Sequence, residues 1–441
     1  MSTTATTRTP LPEGTLPVAG ALLIGGIATY AFFKIGTWAV GGEDQFSSIS
    51  SLWFATFALA PGFFIPLEQE LGRALAHRRA VGEGGQPVVA RVARLGAILA
   101  AIVVLAILCL SPLIVTSYFD GDWVMLAALV IGFAAYAPAH VARGICSGSG
   151  RFRSYAVILG TDGVVRILLC VALAVVGVTT TGPYGFAVAL APLVGVIVVY
   201  SRGNLRTAPG PEATWKEVTP NLGWLLLGSV FGAALLNAGP IAITLLVGDN
   251  EADKALATQF AYAVLLARIP LFMFQAVQAA LLPRLSRLAA KGELDEFQSG
   301  LKRLLLVVLG IGIVGTVGAL LLGPFVIDVV FGADDITGRT LAILALGSAF
   351  YMVALALAQA VIALKGHELV AVGWILGVIA FLLATWLSSD DVFRRVEIGL
   401  AVSSFASMVT FALCLQYKLS SGAVPDDGSV LEAITDMPLE S

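Results

Sequence analysis

The sequence predicts an all-α integral membrane protein of about twelve transmembrane helices, and three observations carry that prediction. Of its 441 residues, 58% are hydrophobic and 12% charged, roughly half the charged share of a soluble domain. Mean hydropathy is +0.91. Apolar windows of about 20 residues, long enough to cross hydrocarbon at about 1.5 Å per residue, recur along nearly the whole chain. Finally, the loops between those windows alternate between basic and acidic.

Hydropathy read together with the Pro and Gly breakers places spans near 17–41, 46–72, 93–117, 124–145, 154–176 and 183–201. A second set follows near 222–247, 258–284, 302–327, 340–364, 369–388 and 396–417. The expected organisation is a polar tail over 1–16, a six-helix lobe over 17–201 and a linker over 202–221. A second six-helix lobe over 222–417 and an acidic, disordered tail over 418–441 complete it. The first residues lack the charged head, apolar core and cleavage pattern of a secretory signal, so the first helix is expected to remain as an anchor.

Charge placement tests the count. Arg73, Arg78, Arg79, Arg91 and Arg94 follow the second span, Arg143, Arg151 and Arg153 the fourth, and Arg202, Arg206 and Lys216 the sixth. Arg284, Arg287, Lys291, Lys302 and Arg303 follow the eighth. The opposite loops hold only Lys254, Arg339, Arg394 and Arg395, and they carry Glu43, Asp120, Asp122, Asp253, Asp334, Asp335, Asp390 and Asp391. A miscounted span would invert every later loop. The positive-inside rule therefore puts both termini in the cytosol of a bacterial-type plasma membrane. A net charge of −3 leaves no footprint for nucleic acid, which is not expected as a partner. Cys109, Cys146, Cys170 and Cys414 lack ligand-like spacing and read as free thiols; no metal, cofactor or catalytic residue is expected.

The halves match in corresponding places. Leu71-Gly72-Arg73-Ala74-Leu75-Ala76 aligns with Leu282-Pro283-Arg284-Leu285-Ser286-Arg287 at an offset of 211, and Pro112-Leu113-Ile114-Val115 with Pro324-Phe325-Val326-Ile327 at 212. Near-equal offsets mark a duplicated unit, and an even span count per half gives both units the same orientation. Three runs then carry a family resemblance: Ala267-Arg268-Ile269-Pro270-Leu271-Phe272 with Leu282-Pro283-Arg284-Leu285-Ser286, Gly292-Glu293-Leu294-Asp295-Glu296-Phe297, and Gly148-Ser149-Gly150-Arg151-Phe152. They resemble the multidrug, oligosaccharidyl-lipid and polysaccharide exporter superfamily, on its polysaccharide-flippase branch. The resemblance implies two lobes forming a V around a central cavity. It also implies alternating access that moves a lipid-linked saccharide from the cytosolic to the outer leaflet. The bilayer and a polysaccharide synthesis machinery are the partners it implies, and no Walker loop for ATP is present.

Charges inside spans single out the candidate site, because each costs roughly 2.5–3.5 kcal/mol on insertion scales unless paired or wetted. Arg166 lies about 18 Å into its span and Arg268 about 15 Å. Both guanidiniums suit phosphate oxygens. Asp162, four residues before Arg166, offers a same-face ion pair instead, or a coupling acid. Lys34 either enters the cavity or snorkels to the interface. Asn237, Gln259, Gln275, Gln278 and Gln359 either bind sugar or join helices. Glu68, Glu70 and Arg73 read as a solvated cluster at the cytosolic face, and His77, His140 and His367 as isolated. Two other functions compete: cation-coupled drug or metabolite antiport on the same fold, which requires a mid-membrane acid free of Arg, and a membrane glycosyltransferase or polymerase, which requires a large outer loop.

Overall fold

The computed structural model describes residues 15–219, 222–248, 250–271, 274, 285, 288–289, 291–333 and 335–421, all helix or connecting turn. Eleven of the described helices are long and apolar enough to cross a membrane, and the chain is an all-α, multi-pass membrane protein. In chain order they are α1 (Thr15–Val40), α2 (Glu43–Ala80), α3 (Gln86–Cys109), α5 (Trp123–Gly148), α6 (Phe152–Val176) and α7 (Thr181–Ser201). Then follow α9 (Leu222–Leu246), α11 (Leu294–Phe331), α12 (Gly338–Ala363), α13 (His367–Leu387) and α14 (Val392–Ser420). Short helices α4 (Ser111–Tyr118) and α8 (Trp215–Val218), with α10 (Glu251–Ala267), complete the described set.

Local chemistry sets most boundaries. The single span expected over 93–117 is two helices, because Pro112 has no amide hydrogen to continue the ladder and instead starts α4. Pro324 at the matching place leaves α11 unbroken, so the two copies of the expected repeat differ here. Asp122, Thr337 and Asp391 each accept from backbone N–H groups at the start of α5, α12 and α14. Helices α2 and α11 run 38 residues each, about 57 Å, and project beyond the hydrocarbon at the basic end. The repeat element over 282–287 lies outside the described residues, except Leu285.

Packing pairs α1 with α6, α2 with α5, and α5 and α6 with α7; in the later chain α12 packs on α11 and α14, and α13 on α9 and α14. The α1–α6 contact is close because Gly163 meets Gly25: a Cβ there would stand 3.0 Å from Gly25 Cα. Small residues let backbones approach where lipid supplies no hydrophobic drive between helices. The earlier and later helices meet chiefly through α2, which lies against α9 and α10. At the acidic end that junction is polar. Thr258 donates to the Glu43 carbonyl at 2.7 Å, Gln259 Nε2 to Glu43 and Asp335 at 2.9 and 3.2 Å, and Thr37 bonds Tyr262.

Candidate functional site

Two prolines build the surroundings of Arg268. In α9, Pro240 has no N–H for the carbonyl of Leu236, four residues back. That free carbonyl accepts from Arg268 Nη2. One residue on, Asn237 Oδ1 accepts from Nη1 at 3.0 Å while its own amide donates to Ala233. Pro270 acts likewise on α10, which ends at Ala267 with Arg268 as its C-cap. Tyr30 of α1 donates to the Leu265 carbonyl at 2.6 Å, a carbonyl that also accepts from the Arg268 N–H at 3.1 Å.

Arg268 is 5% exposed. Phe54 of α2 lies 5.8 Å from its guanidinium carbon, and a cavity of about 30 Å³ beside it is lined by Leu235, Val264, Ser348, Tyr351 and Ser404. Tyr30, Asn237 and Tyr351 all stand near the middle of their helices, so the charge is near mid-bilayer. Its start-to-site distance is longer than the sequence reading held, since α10 begins at Glu251 and not at 258. Among the described residues no carboxylate pairs with it: a net positive charge is held by neutral acceptors.

Every other described charge deep in the bundle is neutralised. Arg166, 3% exposed, pairs with Asp162 at 2.9 Å, and Tyr136 donates to the other Asp162 oxygen at 3.3 Å. The Arg166 guanidinium carbon lies 4.7 Å above Phe57, while its Nε and Nη1 are buried without a hydrogen-bond partner. Arg166 and Arg268 therefore lie against one α2 aromatic cluster, Trp53, Phe54 and Phe57.

Two readings of the sequence are corrected. Glu68 and Glu70 are not solvated: they are 9% and 4% exposed. Nor is His140 isolated. Glu68 Oε2 accepts from Arg143 at 2.6 and 2.9 Å, His140 Nδ1 lies 2.8 Å from the same oxygen, and Tyr155 donates to Oε1 at 2.8 Å. The cluster joins α2, α5 and α6, so no local spacing could show it. The available signal was that an acid and an i, i+3 His–Arg pair, all within apolar stretches, each demand a partner. Burial raises the cost of the Glu68 charge, and the guanidinium offsets it.

The remaining candidates disperse. Lys34 is exposed on α1, six residues from its acidic end, in the position from which a long stem snorkels. Gln259 is at the acidic-end junction rather than in a cavity. Gln275 and Gln278 lie outside the described residues. The described cysteines are free thiols, and among the described residues no group of three metal-ligating side chains converges.

No protein-family model matches the chain. An uncharacterized protein of Mycobacterium tuberculosis is 26% identical over 348 residues, 76% of each chain, and one of Mycobacterium bovis is 23% identical over 268, 58% of this chain and 59% of that one. The structural comparisons are more telling. A single-site mutant of the Vibrio cholerae MATE transporter VcmN superposes with a TM-score of 0.68 at 14% identity, covering 93% of this chain and 97% of that one. A multidrug resistance MATE family transporter of the MOP superfamily, in its inward-facing conformation, gives 0.66 at 14%, covering 95% and 99%. Its outward-facing counterpart gives 0.64 at 12%, covering 96% of each chain. The chain therefore has the fold of the MATE transporters.

Proposed function

We propose that this chain is a secondary transporter whose two helical halves rock in alternating access, and that its substrate carries an anionic group met by Arg268. The single observation behind this is the buried guanidinium of Arg268. A fixed mid-membrane cation without an acid costs several kcal/mol, an expense that an incoming anion offsets. The fold comparisons favour ion-coupled antiport of a drug or metabolite over lipid flipping. In that reading Asp162 is the mid-membrane acid, and it couples ion movement to exchange when its pair with Arg166 opens. Both termini then lie in the cytosol, at the basic end.

Flipping of a lipid-linked saccharide is the second reading, favoured because a guanidinium fork matches phosphate oxygens. Asn237 then serves both readings, holding the fork in place, while Gln275 and Gln278 are secondary contacts to the substrate head. Proteoliposomes containing the full chain separate the two. Under an imposed proton gradient, uptake of anionic and cationic dyes and translocation of a lipid pyrophosphate saccharide are each measured for the native chain and for Arg268→Gln. Anionic transport that falls about tenfold or more in the variant supports the proposal. Equal rates in both proteins overturn the role of Arg268, and movement of cationic dye alone overturns the anionic substrate.

A further inference from the structure

Where the two halves meet at the acidic end, three elements bring oxygen ligands to one point. Gly41 and Gly42, with φ of +98° and +148°, turn α1 into α2 within two residues, in backbone conformations that a side chain resists. Glu43 is thereby the first residue of α2. Thr258 of α10, 1% exposed, fixes it there by donating to its carbonyl at 2.7 Å. One residue on, Gln259 Nε2 stands 2.9 Å from Glu43 Oε2 and 3.2 Å from Asp335 Oδ2, which the connection from α11 to α12 supplies.

Gln259 is 5% exposed, and its Oε1 is buried without a hydrogen-bond partner. Donation to two carboxylates accounts for the nitrogen of that amide only. Its oxygen is a stranded acceptor, a condition that buried polar groups rarely keep. The two ends of an amide have nearly the same shape, so turning the group over exchanges them in place. Oε1 then faces both carboxylates at the separations the nitrogen has now, and three oxygens so close repel unless a cation lies between them. Those separations suit neighbouring ligands of an ion whose bonds are about 2.3–2.6 Å long, the calcium range.

We propose that Glu43, Gln259 and Asp335 bind one calcium ion at the acidic end, with water completing its shell. Two carboxylates balance a divalent charge, whereas a sodium ion leaves one of them uncompensated. Magnesium demands near-ideal octahedral geometry and keeps its waters; an acid on an exposed connection and an amide deep in the junction form an irregular set that calcium accepts. Lys254 and Arg339, which lie nearest Gln259 and Asp335 in the chain, pair instead with Asp120 and Glu397. Gln259 precedes Arg268 by about 13 Å along α10, so this site is separate from the one proposed for substrate. The ion joins α2 of the first half to α10 and the α11–α12 connection of the second, and so fastens the halves together at that end.

The test uses the full chain in a neutral detergent, stripped with a chelator and then dialysed against radioactive calcium. The native chain is expected to bind one ion with a Kd of about 0.1–1 mM, the range of outer-surface modules, and its thermal midpoint to rise with calcium. Asp335→Asn, at an exposed side chain, and Gln259→Leu each weaken binding about tenfold or more, because ligand charge and number set the affinity. Gln259→Glu, which supplies a third carboxylate, tightens it about tenfold. Asp390→Asn, at an acid of the same end outside the site, keeps the native affinity. A native chain that binds no calcium at about 10 mM overturns the proposal and needs no variant to fold. Equal affinity for magnesium or sodium overturns the calcium assignment, and native affinity in Gln259→Leu overturns the role of the amide. Equal losses from Asp335→Asn and Asp390→Asn show diffuse attraction to an acidic surface and overturn the site.

Discussion

At the residue scale the two buried arginines differ by what neutralises them. Arg166 has Asp162 one helical turn away, and removal of one partner leaves a stranded charge, at a cost of about 3–5 kcal/mol. Arg166→Met alone is expected to lower the thermal midpoint of the purified chain sharply, and Arg166→Met combined with Asp162→Leu to recover most of the loss. A double variant no more stable than the single one contradicts the ion-pair account. Arg268 has no such partner to strand, so Arg268→Gln, which keeps an amide for the Leu236 carbonyl, is expected to fold with little loss while transport fails. The distinction was half legible: an i, i+4 acid is visible in a sequence, whereas the Leu236 and Asn237 acceptors are on another helix.

A second residue-level expectation concerns the linker. Arg78, 3% exposed, donates to both Glu217 carboxylate oxygens at 2.6 and 3.0 Å and to the carbonyls of Gly84 and Pro211. That hydrogen bonding holds the Glu217 carboxyl below its ordinary value of 4.5. A depressed carboxylate stabilises the fold above its unfolded value, and the contribution is lost as pH falls through the lower folded value. Between pH 5 and pH 3, roughly spanning that window, the native chain should lose thermal stability more steeply than Arg78→Gln. Parallel slopes would show that the clamp does not titrate.

At the element scale, close backbone approach decides which helices pair. Gly163 of α6 and Gly25 of α1 allow a contact that any side chain would spread. Gly163→Leu is expected to cost about 1–3 kcal/mol through overpacking, read as a lower thermal midpoint. The same substitution at Gly318, which faces open space, should be close to neutral. Hydropathy alone marks both as glycines in apolar spans. Which one is buried against a neighbour depends on helix rotation, and α1 and α6 show too little amphipathic contrast to report it, since lipid and protein interior are alike apolar.

At the scale of the whole molecule, the proposed alternating access requires that contacts at the acidic end break when the halves separate there. Ser51 of α2 and Thr244 of α9 lie 3.2 Å apart between hydroxyls. A Ser51→Cys, Thr244→Cys pair in a background with the four native cysteines replaced by Ala should form a disulfide under mild oxidation. Transport is expected to stop when that bond forms and to return on reduction. Continued transport by the cross-linked protein would require a motion other than separation of α2 from α9.

The membrane class, the all-α architecture and the number of spans follow from the sequence by itself, because water-free surroundings force every backbone group into helix and so write each span as an apolar run bounded by charged loops. The prolines at 240 and 270 were equally plain, and with them the two places where a carbonyl must look elsewhere for a donor. Tertiary structure alone decided that Arg268 takes one of those carbonyls, that Glu68, His140, Arg143 and Tyr155 converge, and that Arg166 and Arg268 occupy separate places beside one aromatic cluster. The physical reason is common to all three. Each depends on which faces of non-adjacent helices meet, and in a bundle whose outward faces are as apolar as its core, hydropathy does not encode rotation.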